Sequence, residues 1–221
     1  MMMKTYNEIE TYMDELFPNP KCELNYFNDY SLLMSVMLSA QTTDKRVNEV
    51  TEILFNKYKS LDELAHADYQ DLKEIIKPLG NYTRKAFNIK EMARILHEEY
   101  HDKVPNDREI LETLPGVGRK TTNVFLSEFL EVPAIAVDTH VERVSKRLKL
   151  VKDDANVLII EKALMANIKR ENWSKRHLQL VLFGRYHCKA MKPKCDECKL
   201  KKICGYYQDH NEIKKKKKVK A

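Results

Sequence analysis

The feature that most constrains the fold is a helical repeat of apolar residues that runs through almost the whole chain. Examples at spacings of three and four are Val47, Val50, Leu54 and Tyr58, then Ile89, Met92, Leu96 and Tyr100, and later Val157, Ile160, Leu164 and Ile168. That spacing places apolar side chains on one face of an α-helix, whereas the period-two alternation of strands is scarce. Only five glycines interrupt the chain. The sequence therefore predicts an all-α protein.

Polar residues mark the predicted starts of two helices. Ser60 stands three residues before Glu63, and Asn106 stands three residues before Glu109. A serine or asparagine side chain can accept a hydrogen bond from the first amides of a helix, and an acidic residue three positions on can accept one in return. We therefore expect helices to begin directly after Ser60 and Asn106.

The net charge of the chain is concentrated at its C-terminus. The formal net charge is +6, and six lysines lie within the last eight residues, Lys214 to Lys218 and Lys220. Without those six lysines the rest of the chain carries no net charge. We expect residues 209–221 to form a basic, disordered tail, which can attract phosphates without reading sequence. Overall charge alone does not identify a nucleic-acid-binding protein.

Neither a membrane span nor a signal peptide is visible in the sequence. The longest apolar stretches, such as residues 32–38 and 157–160, are far shorter than the roughly 18–20 residues of a membrane-spanning helix. The first residues include Lys4, Glu8 and Asp14 and lack the apolar core of a signal peptide. We expect a cytosolic protein with no membrane partner.

Four of the five cysteines, Cys188, Cys195, Cys198 and Cys204, follow one another with the spacing C-x6-C-x2-C-x5-C. Because disulfides are rare in the cytosol, four thiols this close together indicate a metal site. Zinc sites usually pair two C-x2-C knuckles, so the wider gaps favour a 4Fe-4S cluster but leave zinc open. Cys22 stands apart and is expected to be a small, partly buried residue.

A glycine-rich turn joins two of the predicted helices. The segment Leu114-Pro-Gly-Val-Gly-Arg-Lys120 precedes a helix that spans about residues 120–130. Pro115 stops the helix before the turn, and Gly116 and Gly118 let the backbone come close to another molecule. Exposed amides and the positive end of the next helix favour a bound phosphate. The alternative is a plain tight connection.

Two ionisable residues stand at predicted helix starts. The helix dipole and the neighbouring Arg119 both disfavour a positive charge on Lys120, so we expect both to lower its pKa. A neutral amine can attack a carbon centre and form a Schiff base; the alternative is a surface lysine that contacts a phosphate. Asp138 suits an N-cap, and its carboxylate could also accept a proton or stabilise positive charge. His140 beside it is expected to be structural.

Several segments of the chain together resemble the endonuclease III family of DNA glycosylase/AP lyases. The glycine-rich turn is the helix-hairpin-helix motif of that family. Further matching segments are Leu38-Ser-Ala-Gln41, Ile135-Ala-Val-Asp138-Thr-His140-Val and Phe183-Gly-Arg-Tyr-His-Cys188 with the cysteines that follow. The resemblance covers nearly everything from Cys22 to Cys204.

The resemblance implies the helix-hairpin-helix DNA glycosylase fold in two helical domains. Residues 23–131 are expected to form a six-helix barrel, with the helix-hairpin-helix motif at residues 107–130. Residues 1–22 and 132–208 are expected to form an iron-sulfur cluster domain. The four cysteines fall on the family's ligand positions and imply one 4Fe-4S cluster with a structural role.

The resemblance further implies a bifunctional enzyme of base excision repair. Lys120 falls on the family's catalytic lysine and Asp138 on its catalytic aspartate. The enzyme is expected to remove oxidised pyrimidines extruded from duplex DNA, through a lysine Schiff base, and to cleave 3′ to the abasic site by β-elimination. Three alternatives stay open: a monofunctional or mismatch-specific glycosylase, whose members generally lack this lysine, a non-catalytic DNA-binding module, which needs neither residue, and a zinc protein.

DNA contacts are expected from Gln41, Leu79, Asn81, Gly116, Gly118, Arg119, Arg185, Lys192 and Lys194. Gln41 matches the residue that fills the gap left by an extruded base. The family commonly has a bulky apolar residue after Gly80, whereas this chain has Asn81, so Asn81, Leu79 or Tyr82 is expected to fill the gap from the other side. The lysines and Arg185 flank the cysteines and would face phosphates.

The expected partner is double-stranded DNA that contains damaged pyrimidines or abasic sites. We expect a monomer, because a duplex engaged by both domains leaves little reason for self-association. The expected location is the cytoplasm of a bacterial-type cell, in association with the nucleoid.

Overall fold

The computed structural model describes residues 2–209, with side chains from residue 5 onward. Within that range the chain forms helices and no β-strand, which confirms the all-α prediction. The tail expected over residues 209–221 lies outside the described residues except for Asp209. The α-helices are α1 (Met2–Leu16), α2 (Asp29–Leu38), α3 (Asp44–Lys57), α4 (Leu61–His66), α5 (Tyr69–Ile76), α6 (Tyr82–Tyr100), α7 (Arg108–Thr113), α8 (Arg119–Glu128), α9 (Thr139–Arg147), α10 (Val157–Asn167) and α11 (Trp173–Leu182). Short 3₁₀ segments span Lys77–Leu79, Arg170–Asn172 and Lys199–Lys202, and a π-helical turn spans Phe183–His187.

The chain folds into two compact units. The first unit, Cys22–Val132, holds α2 to α8. Within it, the Asp68 side chain accepts a hydrogen bond from the Asp71 amide at 2.8 Å and so starts α5 shortly after α4 ends. The second unit holds α1 and α9 to α11. None of the described helices is long and apolar enough to cross a lipid bilayer.

Helix α2 lies in the core of the first unit. Every residue from Tyr30 to Leu38 is buried, which is typical of a helix enclosed by others rather than of a surface helix with one apolar stripe. Asn28 and Ser31 begin this helix as a reciprocal capping pair. Helix α2 packs against α3 and α8, and α6 packs against α4 and α5. The buried α2 therefore anchors α8, which begins at the glycine-rich turn.

The predicted cap at Ser60 is confirmed, whereas the one at Asn106 is wrong. Ser60 Oγ accepts a hydrogen bond from the Glu63 amide at 3.1 Å. Helix α7 begins instead after Asp107, whose Oδ1 accepts from the Ile110 amide at 3.0 Å. An aspartate at this position brings negative charge to the positive end of the helix dipole, which an asparagine cannot do.

Helix α1 is joined to α11 by a charged hydrogen-bond network within the second unit. Arg176 donates from Nη1 and Nη2 to the two carboxylate oxygens of Asp14, at 2.7 and 2.9 Å. The Gln179 side chain donates to the Phe17 carbonyl at 2.8 Å. Because Arg176 is only 7% exposed, its burial requires the opposite charge that Asp14 supplies.

Candidate functional site

Helices α7 and α8 form a hairpin that buried contacts hold together. Leu114 and Val117 are buried in the turn, and the Val117 amide donates to the Leu114 carbonyl at 3.0 Å. Arg108 Nη2 on α7 donates to Asn123 Oδ1 on α8 at 2.7 Å. With the apolar residues turned inward, the glycines of the turn and Arg119 remain at the surface.

The two glycines of the hairpin serve different purposes. Gly116 has a φ of +77°, and a Cβ on it would lie 2.4 Å from Asn88 Nδ2 and 3.0 Å from Met37 Cγ. Gly118 has an ordinary φ of −118°, and a Cβ on it would meet no atom within 4 Å. Gly116 is therefore required by backbone conformation and packing, whereas Gly118 keeps the start of α8 open to an approaching molecule.

Lys120 lies in the first turn of α8 and is half-buried. The N-cap of this helix is Gly118, which provides no side-chain hydrogen bond to the first turn of the helix. Cys22 is partly buried against the core, as expected. Burial raises the pKa of its thiol to about 11, while the charge of Lys120 lowers that pKa. Lys120 and Cys22 are therefore close enough to interact electrostatically.

Gln41 and Asn81 lie in two turns of the first unit. Gln41 follows α2 with a φ of +59°, and Asn81 precedes α6 with a φ of +47°. Both residues are exposed. This left-handed conformation costs most residues with a side chain roughly 1–2 kcal/mol, and it costs asparagine less. Both turns therefore present an exposed polar side chain on a backbone conformation that is uncommon outside glycine.

Leu79 differs from these two residues because its side chain is only 2% exposed and belongs to the apolar core. Its burial argues against the expectation that Leu79 inserts into DNA, since an apolar side chain in the core already has its packing partners. Of the other two candidates for the second gap-filling residue, Asn81 is exposed and Tyr82 is half-buried.

Asp138 is the N-cap of α9, as its sequence position predicted. Its Oδ1 accepts hydrogen bonds from the amides of His140 at 2.9 Å and Val141 at 2.8 Å. Both bonds use the same oxygen, and within residues 5–209 no donor is bonded to Oδ2. The cap therefore fixes the orientation of the carboxylate while one oxygen stays available for another partner.

Sequence reasoning missed the contacts that hold the start of α9. Arg143 Nη2 donates to the Gly184 carbonyl at 2.7 Å and contacts His140 Nδ1 at 3.1 Å. A Cβ on Gly184 would lie 2.7 Å from His140 Cβ, so α9 packs directly on that backbone. Burial lowers the pKa of His140 and so favours a neutral ring that can accept at Nδ1. The available signal was Gly184 itself, because an isolated glycine in a helical stretch often marks close packing.

The four C-terminal cysteines line one cavity. This cavity encloses about 340 Å³, part of which is open to solvent, and its walls include Cys188, Cys195, Cys198 and Cys204. Burial raises the pKa of the Cys198 thiol to about 11, and the other three cysteines raise that pKa further. Among the described residues, no three His, Cys, Asp or Glu side chains are already arranged as a metal site, so the four thiols share a cavity without standing in a metal-binding arrangement. As donors, four thiols around one cavity suit iron or zinc once deprotonated.

Arg147 supports the first cysteine of the series, a second contact that the sequence did not reveal. Its Nη1 donates to Cys188 Sγ at 3.4 Å and to the Lys189 carbonyl at 2.7 Å, and its Nη2 donates to the Ala190 carbonyl at 3.0 Å. The guanidinium carbon also lies 4.1 Å from the centroid of the Tyr206 ring. One arginine of α9 therefore fixes the chain around Cys188.

The cations expected to contact DNA lie in and next to the cysteine loop. Lys192 and Lys194 are exposed, and Arg185 is half-buried. The Lys194 amide donates to the His187 carbonyl at 3.0 Å, and Lys192 has a left-handed φ of +50°. The loop backbone therefore has a defined path that leaves the two lysines at the surface.

Comparisons with known proteins identify the family to which this fold belongs. Residues 34–170 match the model of the HhH-GPD superfamily of base excision DNA repair proteins. Endonuclease III of Bacillus subtilis strain 168 is 47% identical over 205 residues, which cover 91% of this chain and 94% of the relative. A solved endonuclease III–DNA covalent intermediate has a TM-score of 0.92 and 44% identity, with 95% of this chain and 99% of that chain covered. A non-covalent endonuclease III–DNA complex has a TM-score of 0.93 and 43% identity, with 96% and 99% covered.

The fold and the hairpin thus define a helix-hairpin-helix protein of base excision DNA repair. Within that class the chain belongs to the endonuclease III family of DNA glycosylase/AP lyases, which confirms the resemblance inferred from its motifs.

Proposed function

We propose that this protein removes oxidised pyrimidines from duplex DNA and cleaves the strand 3′ to the resulting abasic site, with Lys120 as the nucleophile of both steps. The observation that carries the proposal is the position of Lys120. It lies in the first turn of α8, directly after the glycine-rich turn of the hairpin, in a chain whose fold matches that of an endonuclease III trapped covalently on DNA.

The proposed chemistry begins when the damaged nucleotide leaves the base stack, because its C1′ atom is unreachable inside the duplex. The unprotonated Nζ of Lys120 bonds to C1′ while the glycosidic C–N bond breaks and its electron pair leaves with the base, which takes up a proton. The sugar ring then opens to a Schiff base. Loss of a C2′ proton breaks the C3′–O bond, whose electron pair leaves with the 3′ phosphate, and water finally releases the lysine.

Asp138 is proposed to stabilise positive charge that develops on the sugar or to accept a proton. The cap formed by Oδ1 supports this role, because it holds the carboxylate in one orientation and leaves Oδ2 available. Asp138→Asn keeps an oxygen for the cap but removes the charge. It should therefore reduce glycosylase turnover about 10²-fold or more with little change in unfolding, and a variant of normal turnover would contradict the role.

The proposed DNA contacts of the first unit are of two kinds. Gln41 and Asn81 fill the space vacated by the extruded base, for which their exposure in neighbouring strained turns is the support. The amides at Gly116 and Gly118, together with Arg119, bind a phosphate, since the start of α8 lacks a side-chain cap.

The second unit is proposed to bind the phosphate backbone through Arg185, Lys192 and Lys194. Contacts of this kind release counterions and carry no sequence information. Replacing Lys192 and Lys194 together by alanine should weaken DNA binding equally across sequences and reduce the slope of log K against log salt by up to about 2. An unchanged salt slope would exclude these lysines from the interface.

Cys188, Cys195, Cys198 and Cys204 are proposed to hold one 4Fe-4S cluster. All four line one cavity, and Arg147 already fixes the chain around the first of them. When bound, the cluster would supply a rigid cross-link for the loop that carries the lysines. A cluster absorbs visible light and zinc does not, so the absorbance spectrum and iron content of the purified protein test the choice of metal.

The remaining assignments concern organisation and setting. We propose that residues 23–131 act as the helical barrel domain and that residues 1–22 and 132–208 act as the cluster domain. We further propose that the protein works as a monomer on double-stranded DNA with damaged pyrimidines or abasic sites, in the cytoplasm at the nucleoid.

The experiment that tests the function is borohydride trapping on duplex DNA with one abasic site. The parent protein should give a covalent adduct, Lys120→Ala should give none, and Lys162→Ala, which removes an exposed lysine of α10, should behave as the parent. A parent protein that binds this DNA without forming an adduct would exclude the lysine mechanism and favour a monofunctional glycosylase.

A further inference from the structure

The ammonium group of Lys85 is buried beneath the two turns that carry Gln41 and Asn81. Lys85 lies in the first half of α6 and is 5% exposed. Its Nζ donates to the carbonyls of Ala40 and Leu79, both at 2.9 Å, and to Thr42 Oγ1 at 3.2 Å. An ammonium group has three donors, and each of the three has an acceptor here.

These acceptors belong to two separate turns. Ala40 and Thr42 flank Gln41, and Leu79 lies two residues before Asn81. Thr42 Oγ1 also donates to the Leu79 carbonyl at 2.6 Å, which joins the turns directly. Lys85 holds the second turn from two directions, because its own backbone amide donates to the Asn81 carbonyl at 3.1 Å.

Burying the charged ammonium of Lys85 costs free energy of desolvation, and a contribution to stability alone does not explain why a lysine stands at this position. Burial lowers the pKa of Lys85, and among the described residues no carboxylate pairs with it. An apolar side chain of similar length would fill the space without this desolvation cost. What only a lysine or a similar cation supplies is a single centre bonded to both turns at once.

We propose that Lys85 is a positioning residue that holds the Gln41 turn and the Asn81 turn as one rigid element, so that both side chains enter duplex DNA at a fixed separation. The proposal rests on the proposed function, in which these two side chains contact DNA. Lys85 itself touches neither the DNA nor the reacting atoms.

The test compares Lys85→Met with a matched control on the same helix, Lys90→Met. Lys90 also donates its Nζ to a carbonyl, that of Ala67, which belongs to neither turn. Amide hydrogen exchange of the free protein should accelerate about tenfold or more in both turns, residues 39–43 and 79–82, for Lys85→Met, because the charged hydrogen bonds that restrict them are lost. Lys90→Met should leave those amides unchanged.

The consequence for DNA is measured with 2-aminopurine placed opposite an abasic site. At saturating protein the parent and Lys90→Met should raise the fluorescence of this base as it unstacks, and Lys85→Met should lose most of the rise. Lys85→Arg should restore part of it. If exchange rises in one turn only, or if the fluorescence change survives in Lys85→Met, the proposal is overturned.

One further variant and one further measurement complete the test. Thr42→Val preserves side-chain shape but removes the direct bond to Leu79 and one of the three acceptors of Lys85. It should give the same effects at smaller size, and it replaces Lys85→Met if that variant does not fold. Borohydride trapping of the parent separates the two ideas. If the parent forms no adduct, the proposed function fails, whereas a trapping parent with unaffected turns in Lys85→Met refutes only the positioning role.

Discussion

Replacing Gly116 by alanine should destabilise the protein far more than replacing Gly118, although the two glycines look equivalent in the sequence motif. At position 116 an alanine would have to adopt a φ of +77°, and its Cβ would lie 2.4 Å from Asn88 Nδ2. Asn88 and Met37, the second neighbour, are 7% and 4% exposed, so neither can move aside freely. At Gly118 the backbone is ordinary and the space is empty.

The magnitudes follow from these two differences. Left-handed backbone costs alanine about 1–2 kcal/mol, and crowding a packed site costs about 1–3 kcal/mol more, so Gly116→Ala should lose roughly 2–5 kcal/mol. At Gly118 alanine is a poorer N-cap by a few tenths of a kcal/mol or more. It also reduces the entropy of the unfolded chain by a similar amount. Gly118→Ala should therefore stay within about 0.5 kcal/mol of the parent.

Urea unfolding followed by far-UV circular dichroism measures both variants. With a slope of about 2–3 kcal/mol/M, the midpoint for Gly116→Ala should fall by about 1 M or more, and the midpoint for Gly118→Ala should hardly change. If a phosphate approaches the start of α8, Gly118→Ala should still weaken DNA binding. Equal midpoints for the two variants would refute the reasoning from backbone and packing.

Three further outcomes are expected. The guanidinium of Arg176 holds the pKa of Asp14 well below its ordinary value. This carboxylate therefore contributes stability that is complete above its unfolded pKa of about 3.9 and that is lost as pH falls through the folded pKa. Asp14→Asn should flatten the fall of the urea midpoint between about pH 5 and pH 2. If the four cysteines hold the proposed cluster, removing iron with a chelator should abolish the visible absorbance and speed proteolysis within residues 188–204, whereas an unchanged cleavage rate would argue against a structural cluster. Leu79→Ala should cost about 2–5 kcal/mol of stability because its side chain is buried. Asn81→Ala should cost less, about 1 kcal/mol for alanine in a left-handed conformation, and should weaken lesion binding. The reverse order of the two stability losses would contradict the assignment.

Sequence alone determined the features that depend on neighbours along the chain. The helical periodicity gave the all-α class, and Ser60 and Asp138 were recognisable as caps because a cap reaches an amide only two or three residues away. The hairpin motif and the cysteine spacing indicated the family because each consists of residues that are close together along the chain. Where two adjacent residues could both cap, as Asn106 and Asp107 can, the local signal did not decide between them.

Only the tertiary structure decided which distant residues meet. It showed that Asn88 packs against Gly116 and not Gly118, that Leu79 is buried in the core, and that Lys85 bonds to two separate turns. These partners are separated in sequence by up to 45 residues, and no periodicity or motif specifies such pairs. Their contacts depend on how α2, α6 and α8 pack, because the distance between side chains on different helices is set by the path of the whole unit rather than by local conformation.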